Sequence, residues 1–499
     1  MLLKKKYLGI FAGFLLLLLP EQLKASFVFS APIQKGLEAA VAMHKSEVAK
    51  QLQLEKAARP ENSMILLVED YQDFYQLVFA ANPNALKAAQ KRLDTRLSAL
   101  ERDKSSGAWQ LFAKGRMHFQ RALLHGIQKN YFTAAIQLSK ANSAIGELHK
   151  AYPDFLPGQR EKALLDVVFG GVPDQYKWVA SAVGWKGNEK NGMAVLNGIV
   201  AKIEGSAYKA LTDESRIMVA CILGFTKDQE KAAWHVLSAS PELAKSNLTG
   251  LYVMSRLGGK AGRTEEVVQF LLNRPNAPNY HLFPFLDFNL ATAFLHLNDP
   301  RALNYFEIYL ASDEPRLLKK SALLGMAYYY LLKNDHDAVY ATLARTEMKG
   351  PNLNESDEQA YLEAQRFLIA LPQVDLLRAR LQYDGGYYEK AWKTLEALHR
   401  EQLSAAEQLE YYYRRGQVLN DWGKLEQAIS PYKQAIAMGK NDGNYLPANA
   451  CYRLGIIYEK QGQNAIAIQY FERCLQFNKH PYAWSLSFKA KAGINRLKG

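Results

Sequence analysis

The sequence predicts an all-α fold, a superhelical solenoid built of antiparallel helix hairpins stacked in series. Three observations predict it. Apolar residues recur at spacings of three and four, which is the period of a helix. Gly, Pro, Asn or Asp interrupts the chain at short intervals, and strand-like alternation is nearly absent. One pattern of small and large residues recurs near the C-terminus, as expected of hairpins that bury their apolar faces only by stacking on each other.

The first 25 residues have the pattern of a secretory signal peptide. Lysines 4–6 precede an apolar run from Tyr7 to Leu19, and Pro20 follows. A membrane-spanning helix needs roughly 20 apolar residues, so a cleaved leader is favoured over a retained anchor. Cleavage is expected after Ala25 or Ser30. We therefore expect an exported chain, periplasmic or outer-membrane associated in a Gram-negative bacterium, whose mature part has no transmembrane span.

Residues 26–155 are predicted to form an N-terminal helical region. The stretch 33–58 has a continuous amphipathic pattern and predicts a single helix. Another helix is expected to begin at Pro83, because proline fits the first turn of a helix. The segments 107–130 and 131–152 are predicted to pair with each other.

Small and large residues recur at fixed offsets in the C-terminal part of the chain. Counted from Gly455, the offsets 3, 7, 12, 16 and 19 fall on Tyr458, Gly462, Ala467, Phe471 and Cys474; counted from Gly416, they fall on Leu419, Gly423, Ala428, Tyr432 and Ala435. A third copy begins at Ala379, so that successive units start 37 and 39 residues apart.

The positions in this pattern have simple physical roles. A small residue on the first helix, opposite an alanine on the second, lets the two helices approach closely. Glycine at offset 7 lets the chain leave the first helix and turn. The aromatic residues are expected to fill the space between hairpins. The predicted packing set is Gly416, Ala428, Tyr432, Gly455, Tyr458, Ala467 and Phe471.

This pattern resembles the tetratricopeptide repeat over residues 372–480, although the units of that family are about 34 residues long. Residues 156–371 keep parts of the pattern and are predicted to form degenerate hairpins of the same kind. Residues 481–499 are expected to form a C-terminal capping helix. The resemblance implies a helical solenoid whose task is to bind other proteins.

A second resemblance covers most of the chain that follows the leader. The motifs at 152–155, 171–174 and 184–187, and the segment 485–497, are similar to segments of exported tetratricopeptide proteins of the Bacteroidetes. That resemblance implies a helical repeat fold and a location outside the cytoplasm. It brings no established activity.

The first helices of the C-terminal repeats are predicted to line a concave groove that binds an extended peptide or a partner protein. A purely structural scaffold is the alternative. Relatives that hold a terminal carboxylate use a Lys/Asn clamp, which Tyr413 and Gln417 do not supply. Polar and aromatic positions of this kind suit recognition. The residues expected on the groove are Tyr413, Gln417, Asn420, Tyr452, Ile456 and Glu459.

The chain is basic, with a formal net charge of +13. Its charges are spread along the sequence, and there is no Lys/Arg run with interleaved aromatic residues of the kind that binds nucleic acid. We interpret the charge as a solvated basic surface and expect no nucleic-acid partner.

Residues with catalytic or metal-binding potential are scattered. His118 and His125 lie seven apart, and no carboxylate or cysteine completes a metal set with them. Glu69 and Asp73 lie one helical turn apart and are interpreted as dipole partners or solvated groups, not as an acid/base pair. We therefore expect no cofactor and no enzyme activity. The alternative is an exported helical enzyme or binder that acts on wall glycan, for which Glu355–Ser356 is the only near match to a catalytic start.

Two further groups leave alternatives open. Asp174, Tyr176 and Trp178 are interpreted as a helix start with packing anchors, and a ligand site is the alternative. Cys451 and Cys474 fall on the two helices of one hairpin, where they are either small core residues or a disulfide.

Overall fold

The computed structural model of the protein describes residues 27–80, 82–103, 107–170, 187–226, 229–275, 278–313, 317–347, 355–439, 443–480 and 482–498. The regular structure in these ranges is helical and contains no strand, which confirms the all-α class. Within them, no helix has both the length and the apolar character needed to cross a membrane.

The first half of the described chain contains twelve α-helices. They are α1 Ala31–Val41, α2 Lys45–Ala58, α3 Met64–Ala80, α4 Pro83–Arg102, α5 Ala108–Ile127, α6 Tyr131–Ala151, α7 Leu156–Gly170, α8 Glu189–Glu204, α9 Thr212–Cys221, α10 Glu230–Ser238, α11 Pro241–Ser246 and α12 Leu248–Gly258.

The second half contains thirteen more. They are α13 Thr264–Leu272, α14 Phe285–His296, α15 Arg301–Ala311, α16 Lys319–Leu332, α17 His336–Ala344, α18 Glu355–Ile369, α19 Val374–Asp384, α20 Tyr388–Glu396, α21 Ala405–Asp421, α22 Leu425–Met438, α23 Leu446–Lys460, α24 Asn464–Gln476 and α25 Ala483–Lys498. Helices that are neighbours in sequence pack on each other along the chain, as in a solenoid of antiparallel hairpins.

The prediction of a single helix over 33–58 was wrong, because the structure has a hairpin of α1 and α2 there. The chain turns at Met43, whose φ is 60°, a value that residues other than glycine rarely adopt. The turn is fixed by distant backbone: the Met43 carbonyl accepts from the His281 N–H at 2.9 Å, and the Ala42 carbonyl accepts from Leu248. No pattern in the local sequence indicates this turn.

Local sequence does set several other helix ends. Proline 83 begins α4, as predicted, and the side chain of Asn82 before it accepts from the Ala85 N–H. Ser404 and Glu407 form a capping box at the start of α21. Gly423 ends that helix with a φ of +88°, in the left-handed region that favours glycine.

The hydrophobic core is divided into separate clusters at α19. One continuous cluster of buried side chains extends from Ile33 to Leu381, and it includes Leu377 and Leu381 of α19. The opposite side of α19 contributes Leu376 and Tyr383 to a smaller cluster that joins it to α20 and α21. α19 is therefore the helix through which the C-terminal repeats attach to the rest of the molecule. The domain boundaries given above stay predictions.

The middle of the solenoid curves, so that two hairpin turns far apart in the sequence are in contact. The Oγ1 of Thr264 donates to the Gly385 carbonyl at 2.7 Å, across 121 residues of sequence. The hydroxyl of Tyr388 donates to the Lys260 carbonyl at the same distance. The turn between α12 and α13 therefore rests on the turn between α19 and α20, with α14–α18 forming the arc between them.

Candidate protein-binding surface

Glycines hold the helices of the last two hairpins close together. A Cβ built at Gly416 on α21 would stand 2.6 Å from Cδ1 of Tyr432 on α22. A Cβ at Gly455 on α23 would overlap the ring of Phe471 on α24 in the same way. In each hairpin the aromatic residue lies sixteen positions after the glycine, so the spacing in the sequence corresponds to a direct ring-on-backbone contact.

The other residues of the predicted packing set are buried as well. Ala428 and Ala467 have no exposed surface. Tyr458 stacks on Tyr470, with the ring centroids 5.5 Å apart, and its ring also faces the ammonium group of Lys433 on the preceding hairpin. Together these contacts make a rigid frame that presents two opposite faces of α21.

The inner face is the side of α21 and α23 that was predicted to line the groove. The structure places its six predicted residues in two different environments. Tyr413 and Tyr452 are buried, with 1% and 7% of their surface exposed. Tyr413 packs against the rings of Tyr432 and Tyr445, so it belongs to the core. The offset pattern could not show this, because it specifies the helix face but not which side chains a neighbouring ring covers.

The four remaining groove residues are partly exposed: Gln417, Asn420, Ile456 and Glu459. The amide oxygen of Gln417 accepts from Arg414, and Glu459 accepts two hydrogen bonds from Arg496 of α25. The C-terminal helix thus occupies part of the predicted groove.

Charged residues that the sequence analysis did not single out also line this face. Glu363 accepts from Arg380 and from the hydroxyl of Tyr328, both at 2.7 Å. Burial favours the neutral form of Glu363, but Arg380, the hydroxyl of Tyr328 and Arg366 together outweigh it and lower the pKa of that carboxyl. Glu363, Arg380 and Tyr328 therefore satisfy one another's polar groups.

The opposite face of α21 opens into a cleft of about 710 Å³ between α20 and α22, the second helices of two consecutive hairpins. Its floor is α21, and its rim is the connection that contains Arg400. The long connection from Ala397 to Ser404, with its short 3₁₀ turn, keeps α20 and α22 apart. Three groups define the cleft: Trp392 of α20, Tyr412 and Arg415 of α21, and Gln427 with Pro431 of α22.

Aromatic rings hold Arg415 in this cleft. Its guanidinium lies 4.3 Å from the centre of the Trp392 ring, and Nη1 donates to the hydroxyl of Tyr411 at 2.8 Å. Arg400 donates to the hydroxyl of Tyr412 at 3.0 Å on the rim. Half-buried tryptophan, tyrosine and arginine are the residues that dominate protein-binding hot spots.

Other candidate residues are explained by their partners. His118 bonds Gln137 at 2.7 Å, and burial lowers the pKa of His118 and of His125. Glu69 is partly exposed and pairs with Lys56 at 2.7 Å, whereas Asp73 is buried and pairs with two arginines of α4, so the interpretation as a solvated group was wrong for Asp73. Within the described ranges, no group of His, Cys, Asp and Glu could hold a metal ion. Asp174, Tyr176 and Trp178 lie outside the described residues.

A buried ionic cluster in the N-terminal half escaped the sequence analysis. The carboxylate of Glu214 pairs with Arg116 and with Arg160, the latter at 2.9 Å, and accepts from the hydroxyls of Tyr71 and Tyr75. Burial acts to raise the pKa of Glu214, but the two guanidiniums outweigh it and lower that pKa. The five residues come from four helices, α3, α5, α7 and α9, so no local motif could reveal them. The cluster is enclosed and joins those helices.

Comparison with known proteins identifies the C-terminal hairpins. Residues 409–441 and 448–481 each match a family model of the tetratricopeptide repeat. A chain in the crystal structure of the APC/C hetero-tetramer Cut9–Hcn1 aligns with 93% of this chain and 95% of its own length, at 12% identity and a TM-score of 0.29. Among curated proteins, none matches the sequence. The protein therefore carries tetratricopeptide repeats, which confirms that resemblance.

Proposed function

We propose that this chain is an exported scaffold whose tetratricopeptide repeats bind a segment of a partner protein in the cleft between α20 and α22. The observation that carries the proposal is the cleft itself. It is an open depression of about 710 Å³ framed by Trp392, Tyr412 and Arg415, residue types that dominate protein-binding hot spots. The rigid frame of Gly416 and Gly455 supports it, because a preorganised surface loses little entropy on binding.

The experiment places a photo-crosslinking amino acid at single positions of the full-length chain. Position 412 reports on the cleft, position 417 on the inner face, and exposed Lys150 of α6 is the control. After irradiation in envelope extract, we expect one protein adduct from position 412 and none from position 150. An adduct from position 417 alone would move the site to the inner face. Absence of any adduct at 412 and 417 would contradict protein binding by these repeats.

Export is the second part of the proposal, and two observations support it. The leader has the charge and length of a signal peptide, and Val28 and Ser30, shortly after Ala25, are hydrogen-bonded to the rest of the fold. The backbone of Val28 is bonded in both directions by the side chain of Asn62, and Ser30 donates to Glu55 at 2.6 Å. Cleavage after Ala25 keeps these bonds, whereas cleavage after Ser30 removes the residue that caps α1.

A reporter that is active only outside the cytoplasm, fused after residue 60, tests export. We expect activity with the natural leader and loss of activity with Leu17→Arg, because a charge in the apolar run blocks its insertion. Equal activity of both fusions would contradict export. Release of soluble sugars from purified peptidoglycan would favour the alternative, action on wall glycan.

A further inference from the structure

The partner segment in this cleft is acidic, and we infer that Arg415 binds one of its carboxylates. The inference rests on the proposed function. It follows from the charges of the cleft, from the way in which Arg415 is held, and from an unusual proline on its wall.

Arg415 is a cation without an anion. Its neighbour Arg414 points to the other face of α21, where Glu410 and Gln417 accept its hydrogen bonds. The partners of Arg415 are the hydroxyl and ring of Tyr411 and the ring of Trp392, and no carboxylate of the described residues lies within ion-pair distance. A half-buried guanidinium in this position gains most from an external anion, because a charge-assisted bond is stronger away from bulk water.

The geometry favours a carboxylate in particular. A guanidinium carries five N–H groups in one plane, and stacking on Trp392 fixes that plane. One N–H is used by Tyr411, so others remain for two parallel bonds to a carboxylate. On the rim, the charge of Arg400 is balanced by its neighbour Glu401 at 3.3 Å, so the charge of Arg415 is the excess. The cleft therefore has a net positive charge.

A proline in the wall removes one helical hydrogen bond. Pro431 lies inside α22 and faces the cleft. Proline has no N–H, so the carbonyl of Gln427, four residues earlier, loses its helical donor. A backbone N–H of an extended segment can satisfy that carbonyl while an Asp or Glu side chain of the same segment reaches Arg415. This combination distinguishes an acidic peptide from a simple anion.

The test is selection of a displayed library of random octapeptides against the immobilised full-length chain. We expect the selected peptides to be enriched in Asp and Glu. The enrichment should disappear with Arg415→Gln and persist with Lys393→Gln, which removes one positive charge from the exposed side of α20. Arg415→Lys keeps the charge but not the fork of N–H groups, so we expect intermediate binding.

A second measurement avoids any folding defect of the variants. Selected peptides are resynthesised with blocked termini and with each Glu or Asp replaced by its amide, and they are titrated against the unchanged chain. Loss of one charged hydrogen-bonded pair should weaken binding by about 10- to 100-fold. Added salt should weaken the acidic peptides more than the amides.

The outcomes separate the two claims. Selected peptides without acidic enrichment, or an enrichment that survives Arg415→Gln, would overturn the acidic partner and leave the proposed function standing. If the amide peptides bind as tightly as the acidic ones, the acidic partner is likewise overturned and the proposed function stands. A library from which nothing is selected would overturn both.

Discussion

Gly416 of α21 touches the ring of Tyr432 of α22 so closely that there is no room for a side chain between them. A Cβ at Gly416 would stand 2.6 Å from one ring carbon and 2.8 Å from two others, distances that methyl groups do not reach in folded proteins. The contact fixes the separation of the two helices that carry the cleft, and it explains why the glycine recurs in the repeat.

Gly416→Ala should therefore destabilise the protein by about 1–3 kcal/mol, the usual cost of overpacking a tight core. Gly198→Ala is the matched control, because Gly198 is exposed in the middle of α8 and a Cβ there meets nothing. Alanine at that site should stabilise by about 0.5–1 kcal/mol, since glycine is a poor helix former. Urea unfolding followed by circular dichroism measures both. Equal effects of the two changes would mean that the ring contact does not limit the hairpin.

Glu214 should make stability depend on acid pH. Its pKa in the folded state is lowered, because Arg116 and Arg160 outweigh the effect of burial, and its unfolded pKa is near the ordinary value of about 4.3. Its contribution is therefore fully present above the unfolded pKa and is lost as the pH falls through the folded pKa. We expect the free energy of unfolding to fall below about pH 4.3, and this fall should be shallower in Glu214→Gln.

At neutral pH, Glu214→Gln should destabilise by about 3–5 kcal/mol, because two buried guanidiniums then share Glu161 as their remaining carboxylate among the described residues. Glu242→Gln is the control, since Glu242 forms a surface pair with Lys245 and three quarters of its side chain is exposed. Such pairs contribute about 0–1 kcal/mol. Unfolding curves between pH 3 and pH 7 measure both variants. If the free energy of unfolding falls with pH as steeply in Glu214→Gln as in the unchanged chain, Glu214 is not the source of the acid dependence.

The contact between the two distant turns should hold the arc of the middle hairpins closed. Thr264→Val keeps the shape of the side chain but removes its bond to the Gly385 carbonyl, which becomes buried without a donor. We expect a loss of about 1–3 kcal/mol and faster amide exchange in residues 384–388. Thr292→Val is the control, because its hydroxyl bonds only the carbonyl one turn earlier in its own helix. Unchanged exchange at 384–388 would show that the turns stay together without this bond.

The three thiols should be unreactive in the folded protein. Burial raises the pKa of Cys221, Cys451 and Cys474 to about 12 each, so little thiolate exists at pH 8. Titration with a disulfide reagent should find no reactive thiol before unfolding and three afterwards, as the free thiols of the structure require. One thiol after unfolding would instead show that Cys451 and Cys474 had formed a disulfide.

Much of the helical architecture was predictable because it depends on local rules. The caps at Ser404, the proline at the start of α4 and the glycines that end α19, α21 and α23 are short-range signals, and the structure has turns at each. The turn at Met43 has no such signal, because the backbone of Leu248 and His281 stabilises it from far along the chain. Prediction therefore failed at the position where a distant contact overrides the helical pattern.

The binding surface was less predictable than the frame. The groove prediction included Gln417 and Asn420, which are partly exposed, but it could not show that the rings of Tyr413 and Tyr452 are buried. The cleft escaped prediction because Trp392, Arg415 and Pro431 belong to three helices, and only their packing brings them together.

By itself, the sequence determined that this chain folds into helical hairpins, with tetratricopeptide repeats near its C-terminal end, because period, caps and small residues act within one or two helices. Only the tertiary structure decided where the solenoid curves back on itself, which charges are buried together and that Arg415 has no carboxylate of the described residues within ion-pair distance. Those features depend on contacts between residues that are more than a hundred positions apart in sequence. Examples are Thr264 with Gly385 and Tyr71 with Glu214. No periodic pattern encodes such pairs, since burial and electrostatic pairing depend on distance in space.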